Sequence, residues 1–169
     1  MKTSYCITII TALLFSLVSC TSQQNDQLTP KQKEQIKKEV KAVGDSIISR
    51  IERMDVRWVD YYVDSPDWGM VNADGSRWDF KIFNSIQPEF FNSIVSWKWT
   101  SVHQDFKFIS KDIVIYAWDG KDVTVMKSGD RITYDPHAYT LILKKIDGQW
   151  KVIYSHDSGS PVVQKADKK

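Results

Sequence analysis

The sequence predicts an α+β domain in which N-terminal helices pack on an antiparallel sheet. Apolar residues recur with alternating spacings of four and three through residues 36–58, which is the pattern of an amphipathic helix. The C-terminal half is rich in β-branched and aromatic residues that alternate with polar ones. Asp-Gly pairs separate such runs, and Asp-Gly tolerates the positive φ angles of a tight hairpin turn.

Composition limits the class of protein. The 169 residues suffice for one domain with its own core, and 7 Trp, 7 Tyr and 7 Phe exclude a disordered chain. The formal net charge of +2 gives no electrostatic reason to expect nucleic acid as a partner. The sequence has no Gly-rich phosphate loop, no nucleophile elbow and no His or Cys pair at metal-ligand spacing, so no metal and no other cofactor is expected.

The N-terminus has the features of a targeting segment. Residues 1–19 combine a positive start with the apolar stretch Ile7–Val18, which is too short to span a bilayer comfortably. Leu17-Val18-Ser19-Cys20 resembles the bacterial lipobox, whose cysteine is acylated and becomes the new N-terminus. We expect a lipoprotein anchored through Cys20 in the cell envelope, on the outer membrane because Asp does not follow the cysteine. The alternative is an ordinary signal peptide that contains a cysteine.

The remaining chain is expected to form one domain. Residues 20–29 are polar and predict a tether, residues 30–161 the domain, and residues 162–169 a frayed tail. Cys6 lies in the removed segment and Cys20 would be acylated, so the mature domain has no disulfide and depends on packing.

The first helix has a clear start. Thr29-Pro30 supplies a hydroxyl cap and a proline at the first position, and Gln32 completes a capping box. The apolar face comprises Ile36, Val40, Val43, Ile47, Ile51, Met54 and Trp58. Packing on a sheet is favoured over a coiled-coil seam, because the run lasts only about three heptads. We expect the helix, with or without a break, to continue through Tyr62 and to end at Ser65-Pro66.

Later segments carry turn and strand signals. The predicted elements are a short strand and turn at 68–76, a helix at 79–94 broken at Pro88, a strand from Trp97 past a bulge to Ile109, a hairpin over 113–126 turning at Asp119-Gly120, turns at Gly129-Asp130 and Asp135-Pro136, and a terminal hairpin turning at Asp147-Gly148.

The terminal hairpin also carries a resemblance. Asp147-Gly148-x-Trp150, followed by His156-x-Ser158-Gly159-Ser160-Pro161, resembles the SnoaL-like, nuclear transport factor 2-like superfamily. These residues are most similar to those of the association domain of calcium/calmodulin-dependent protein kinase II. The resemblance is confined to this hairpin. It implies a cone-like, strongly curved antiparallel sheet that encloses a pocket.

Strand alternation and the resemblance together predict the pocket wall. The expected ligand-binding residues are Trp58, Tyr62, Leu141, Leu143, Ile153 and Asp157. For the two aromatic residues core packing is the favoured role, and the pocket wall is the alternative. The similar association domains have Arg at the positions of Leu141 and Asp157. Loss of both positive charges predicts a neutral or apolar ligand rather than a small carboxylate.

Several ionisable residues are candidates for chemistry. Asp157, beside an apolar wall, could act as a base, and Asp79 and His103 are weaker candidates. The favoured role of Asp157 is a pairing with a backbone or side-chain donor near the rim, and the base is the alternative. By strand alternation His156 faces outward with a structural or interface role, and His137 is expected in a turn. The sequence shows no convergent catalytic set.

Three functions stay open. The favoured one is a lipid-anchored module with a SnoaL-like pocket for non-catalytic ligand binding or protein interaction. The alternatives are an enzyme of the SnoaL or ketosteroid isomerase kind with an acid/base residue in the cone, and an assembly module. Trp150 and Tyr154 are expected on the outer face of the sheet, where they predict a homodimer.

Overall fold

The computed structural model describes residues 27–167, and its first element is helix α1 (Pro30–Glu52). The predicted capping box is present. Thr29 Oγ1 accepts a hydrogen bond from the Gln32 backbone N–H at 3.3 Å, and Gln32 Oε1 accepts one from the Thr29 N–H at 2.8 Å. The predicted signal peptide at 1–19 and the lipidation site Cys20 lie outside the described residues.

α1 ends before the apolar pattern does. Met54 has a φ of 58°, which interrupts the helix, and the chain resumes as a 3-10 helix at Val56–Tyr61. Asp55 caps this second helix by accepting a hydrogen bond from the Arg57 backbone N–H at 3.1 Å. The break therefore falls within the run that the sequence predicts as helical.

The next elements are a short hairpin and a second α-helix. The hairpin consists of β1 (Gly69–Val71) and β2 (Arg77–Trp78), and helix α2 spans Phe80–Ser93. The predicted break at Pro88 is wrong, because the helix continues through it. Phe83 and Phe91, on either side of the proline, are both buried and hold the two halves against one core.

Four long strands complete the chain. They are β3 (Ile94–Ser110), β4 (Ile113–Met126), β5 (Arg131–Ile146) and β6 (Gln149–Gln164). The six strands form one curved, open sheet in the order β2-β1-β6-β5-β4-β3. All neighbours are antiparallel except β1 and β6, which pair in parallel. The predicted α+β class and curved sheet are confirmed.

Two predicted turns are instead parts of strands. β4 runs without a turn through Asp119-Gly120, and Gly120 pairs with His137 on β5. A Cβ on Gly120 would lie 2.0 Å from the Thr100 carbonyl oxygen, so close strand approach explains this glycine. Asp135-Pro136 lies inside β5, at a register shift between Tyr134 and His137. His137 is therefore a strand residue, and its predicted place in a turn is wrong.

The predicted terminal hairpin is confirmed, but the predicted outward position of Trp150 is wrong. Asp147 and Gly148 have φ angles of 50° and 79°, as a two-residue hairpin turn requires. Trp150, predicted to face outward, is 6% exposed. The reason is a bulge at Ile153, because the adjacent β5 residues Ile142 and Leu143 pair with Tyr154 and Val152.

The C-terminal boundary also differs from the prediction. β6 continues to Gln164, so the first residues of the predicted tail at 162–169 belong to the sheet. Beyond the strand, Lys165 Nζ and the Ala166 backbone N–H each donate to the Asp130 carboxylate at 3.0 Å.

The N-terminal half of α1 covers the hairpin end of the sheet. Glu39 Oε2 accepts hydrogen bonds from Lys145 Nζ and Trp150 Nε1, both at 2.8 Å. Gly44 lies so close to Tyr116 that a Cβ would be 2.6 Å from its ring. This end of the domain is therefore filled. None of the helices within residues 27–167 has the length and apolar character needed to cross a membrane.

Candidate functional site

A cavity opens beneath the C-terminal half of α1. Residues of α1, the 3-10 helix, α2 and the inner face of the sheet enclose about 210 Å³. This exceeds the ~150 Å³ of an engineered apolar cavity that binds benzene. The wall is mainly aromatic: Trp58, Tyr62, Trp78, Phe83, Phe90, Trp97, Trp99, Trp118 and Tyr139 line it.

The structure divides the six predicted pocket residues into two groups. Trp58, Tyr62 and Asp157 line the cavity, and ligand binding by them stays a prediction. The lining does not include Leu141, Leu143 or Ile153, so their predicted place in the wall is wrong. The two leucines are at most 1% exposed in the filled core, and Ile153 is the extra residue of the β6 bulge.

The weaker catalytic candidates lie elsewhere. Asp79 caps α2 by accepting a hydrogen bond from the Ile82 backbone N–H at 2.8 Å. His103 is exposed on β3, with its Nδ1 3.0 Å from Asp119. His156 is exposed while Asp157 is buried, as strand alternation predicts. Of these candidates, only Asp157 reaches the cavity.

A buried histidine that the sequence placed in a turn contacts Asp157. His137 is 3% exposed, and its Nε2 lies 3.6 Å from Asp157 Oδ2. On the other side of the ring, His137 Nδ1 lies 3.2 Å from Asp122 Oδ2. Asp122, His137 and Asp157 come from β4, β5 and β6, and we call them the carboxylate–histidine cluster. Sequence reasoning did not predict that these three residues lie together.

Neighbouring side chains fix the orientation of this cluster. Trp97 Nε1 donates a hydrogen bond to Asp122 Oδ1 at 2.7 Å. Tyr134 stacks on the imidazole with a centroid distance of 4.3 Å and an interplanar angle of 17°. Tyr139 contacts the same ring at a centroid distance of 4.6 Å. Because Trp97 and Tyr139 also line the cavity, a bound molecule would contact residues that hold the cluster.

The two carboxylates determine the protonation of the histidine. Burial lowers the pKa of the His137 imidazole, but the hydrogen bond to Asp122 and the nearby charges of Asp122 and Asp157 outweigh it and raise the pKa above 6.5. Two carboxylates therefore share one imidazole. Burial, and then the charge of Asp157, raises the pKa of Tyr62 and of Tyr139, so both hydroxyls stay neutral.

Polar atoms around the cavity lack partners within the protein. Among the described residues, six side-chain polar atoms are buried without a hydrogen bond: Trp58 Nε1, Trp68 Nε1, Trp118 Nε1, His137 Nε2, Ser155 Oγ and Asp157 Oδ1. Each such atom costs roughly 1–3 kcal/mol. Donors and acceptors therefore stay available near the wall. Within residues 27–167, no group of three or more His, Cys, Asp or Glu is arranged to hold a metal ion.

Comparison with known proteins identifies the fold. No family model matches the sequence, and no curated protein is significantly similar to it. A candidate scytalone dehydratase from Novosphingobium aromaticivorans superposes with a TM-score of 0.72 at 8% identity, over 83% of this chain and 94% of that one. The hexachlorocyclohexane dehydrochlorinase LinA-type3 from Novosphingobium barchaimii gives 0.65 at 9% identity, over 83% and 97%. This chain has the nuclear transport factor 2-like fold.

A third similar structure carries that name directly. It is a nuclear transport factor 2-like superfamily protein from Salmonella enterica, with a TM-score of 0.64 and 12% identity over 81% of this chain and 99% of that one. The resemblance of the terminal hairpin is thus confirmed at the level of fold. The nuclear transport factor 2-like fold explains why a curved sheet and helices enclose a cavity here, but at such identities it does not define the chemistry.

Proposed function

We propose that the protein binds a small, largely apolar molecule in the cavity and removes a proton from it with Asp157 as the base. The observation that carries this proposal is the placement of the Asp157 carboxylate on an aromatic wall with His137 and Asp122 behind it. An enzyme of this kind needs an acid or base that faces inward, opposite an apolar floor. The carboxylate–histidine cluster supports that alternative over binding alone.

Each member of the cluster has a distinct task in the proposed reaction. A C–H bond of the bound molecule breaks, its proton moves to the Asp157 carboxylate, and the electron pair stays on carbon. That pair can expel a leaving group or shift a double bond. His137 positions Asp157 by charge pairing at 3.6 Å, and Asp122, held by Trp97, positions His137. The aromatic wall excludes water and so strengthens these electrostatic interactions.

The names of two similar structures fit this chemistry. A dehydratase and a dehydrochlorinase both eliminate a small molecule from their substrates, and elimination requires loss of a proton. The supporting feature in this chain is a base next to an apolar cavity rather than sequence identity, which is below 10% for both.

The ring opening of 5-nitrobenzisoxazole tests the proposal. A base removes one C–H proton of this neutral aromatic probe, and breakage of the N–O bond gives a coloured phenolate. We expect the purified protein to accelerate this reaction and Asp157→Asn to slow it by about 100-fold. Asp119→Asn, a half-buried carboxylate on β4 outside the cavity lining, is the matched control and should leave the rate unchanged. A wild-type rate no faster than that of Asp157→Asn contradicts the proposal.

Ligand binding without reaction is the second candidate. The observation that favours it is that Asp157 alone among the three cluster residues lines the cavity. A protein that binds small aromatic molecules tightly but opens the probe no faster than the Asp157→Asn variant would support this alternative.

We also propose that lipid on Cys20 anchors the protein in the bacterial cell envelope, at the outer membrane. The support is the lipobox-like sequence at residues 17–20. Membrane fractionation and intact mass of wild type and Cys20→Ala test this. A wild type that is soluble and carries no acyl groups contradicts it.

A homodimer through the outer face of the sheet is a further proposal. With Trp150 buried, its support is a shallow apolar surface formed by Val71, Ile115, Ile142 and Tyr154. Light scattering should find a dimer for wild type and a monomer for Tyr154→Lys. A monomeric wild type at micromolar concentrations contradicts the proposal.

A further inference from the structure

The charged residues of the cavity wall are all acidic. Glu52 and Asp157 line it, and among residues 27–167 no lysine, arginine or histidine does. Glu52 is partly offset, because Lys98 Nζ lies 3.7 Å from its Oε2 and the Trp99 backbone N–H donates to its Oε1 at 3.3 Å. Asp157 shares its ion-pair partner, because His137 also pairs with Asp122. The inner part of the wall thus has excess negative charge.

Aromatic rings surround this negative charge. Trp99, Trp118 and Tyr139 form a three-ring corner with centroid distances of 6.4 Å, 5.5 Å and 5.7 Å between its members. Tyr139 pairs directly with Asp157 across β5 and β6, which puts the corner beside the carboxylate. The faces of aromatic rings attract cations, and tryptophan does so most strongly.

Carboxylate and rings favour the same kind of charge. An uncharged ligand would bury apolar surface but leave the excess negative charge without a partner. An anion would be repelled by both features. From this balance we infer that the preferred ligand of the cavity is a small organic cation, an ammonium group that carries alkyl or aryl substituents. The inference rests on the proposed function, in that it takes the cavity as the functional site and names the class of molecule that enters it.

A matched pair of probes tests the inference. Phenyltrimethylammonium and tert-butylbenzene have nearly the same shape and differ in one positive charge. Binding can be followed by tryptophan fluorescence, because five of the seven tryptophans line the cavity. We expect the cation to bind at least about tenfold more tightly than the neutral probe. Benzoate should bind more weakly than either.

Variants show whether Asp157 causes the preference. Asp157→Asn should weaken binding of phenyltrimethylammonium by about tenfold and leave tert-butylbenzene unaffected, which also shows that the cavity persists. Asp119→Asn should retain the wild-type preference. Equal or tighter binding of the neutral probe by wild type overturns the inference, as does an unchanged cation affinity in Asp157→Asn.

Failure of the inference and failure of the proposed function are distinguishable. One outcome is that the neutral probe binds as tightly as the cation while Asp157→Asn still slows the opening of 5-nitrobenzisoxazole. The inferred cation preference is then wrong, and the proposed role of Asp157 as the base is still supported. If the cation preference depends on Asp157 but the ring opening does not, the ligand class stands and the proposed proton abstraction is wrong.

Discussion

One ionisable cluster lies at the hairpin that joins β5 and β6, and the other lies at the cavity, near the middle of the same strands. Their hydrogen bonding differs. At the hairpin end, both oxygens of Glu39 are used: Oε1 accepts from Gln35 Nε2 at 2.9 Å, and Oε2 accepts from Lys145 and Trp150. At the cavity, Asp157 Oδ1 and His137 Nε2 have no hydrogen-bond partner among the described residues.

The difference separates stabilisation from function. A fully satisfied polar network fixes one arrangement, and here it fastens α1 to the terminal hairpin. A partly satisfied network reduces stability but keeps its donors and acceptors free for another molecule. The hairpin cluster should therefore contribute to folding free energy, and the cavity cluster to binding and reaction.

Of the substitutions considered, Gly120→Ala, beside the cavity cluster, should destabilise the protein most. Its Cβ would meet the Thr100 carbonyl oxygen at 2.0 Å, so β3 and β4 must move apart beside the pair that Gly120 forms with His137. We expect a loss of about 3 kcal/mol in the free energy of unfolding. Urea denaturation measures it. Gly69→Ala, whose Cβ would meet only ordinary contacts at 3.9 Å, is the control, and an equal loss in both variants would refute the steric argument.

Glu39→Ala breaks the hairpin end. It removes the acceptor for Lys145 Nζ and Trp150 Nε1, and charge-assisted hydrogen bonds of this kind contribute about 1.5–3 kcal/mol each when buried. Because the Glu39 side chain is 31% exposed, we expect a total loss of about 2 kcal/mol, with the 5-nitrobenzisoxazole rate unchanged. Glu34→Ala, an exposed residue of the same helix, should cost much less. Similar losses for the two variants would contradict this account.

The two clusters should dominate opposite ends of the stability–pH curve. Hydrogen bonds, chiefly from Lys145, lower the pKa of Glu39 from 4.5 to about 2, so its contribution is complete above 4.5 and is lost as pH falls towards 2. The pKa of His137 is raised above 6.5, so its contribution is complete below 6.5 and is lost as pH rises through the raised value. In a plot of the urea midpoint against pH, Glu39→Ala should reduce the slope at acidic pH, and His137→Gln should reduce the slope at alkaline pH. Unchanged slopes would show that these groups do not control the curve.

Asp157→Asn should have the smallest effect on stability. It removes one of two carboxylates that share a single imidazole, so we expect a change within about 1 kcal/mol despite 9% exposure. The same substitution should have the largest effect on proton abstraction. Calorimetric melting alongside the ring-opening assay tests the pair of statements. A strongly destabilised variant would place Asp157 among the structural residues.

The parts of the fold that depend on local signals were predictable. The capping box at Thr29 and the turn at Asp147-Gly148 each involve residues within a few positions of one another. Asp119-Gly120 has the same turn chemistry, yet β3 and β5 pair on both sides of it and keep it extended. Local preference predicts a turn only where tertiary pairing does not override it.

The cavity cluster was not predictable for a related reason. Asp122, His137 and Asp157 belong to three strands, and only the register of those strands brings them together. Register shifts near Gly120, Tyr134 and Ile153 set that arrangement, and none has a signature in the sequence strong enough to locate it. Alternation alone correctly placed Asp157 but failed for Trp150, because the bulge lies between them.

The bulge at Ile153 also bears on how the length of this chain can change during evolution. Because Ile153 is the extra residue, its deletion would restore regular pairing of Val152 and Tyr154 with Leu143 and Ile142, and each would keep its present face. Deletion of a residue on the regular part of β6, away from the bulge, would instead exchange the two faces beyond that point. β6 can therefore lose the one residue at the bulge and still present the Asp157 carboxylate to the cavity, rather than the adjacent imidazole of His156.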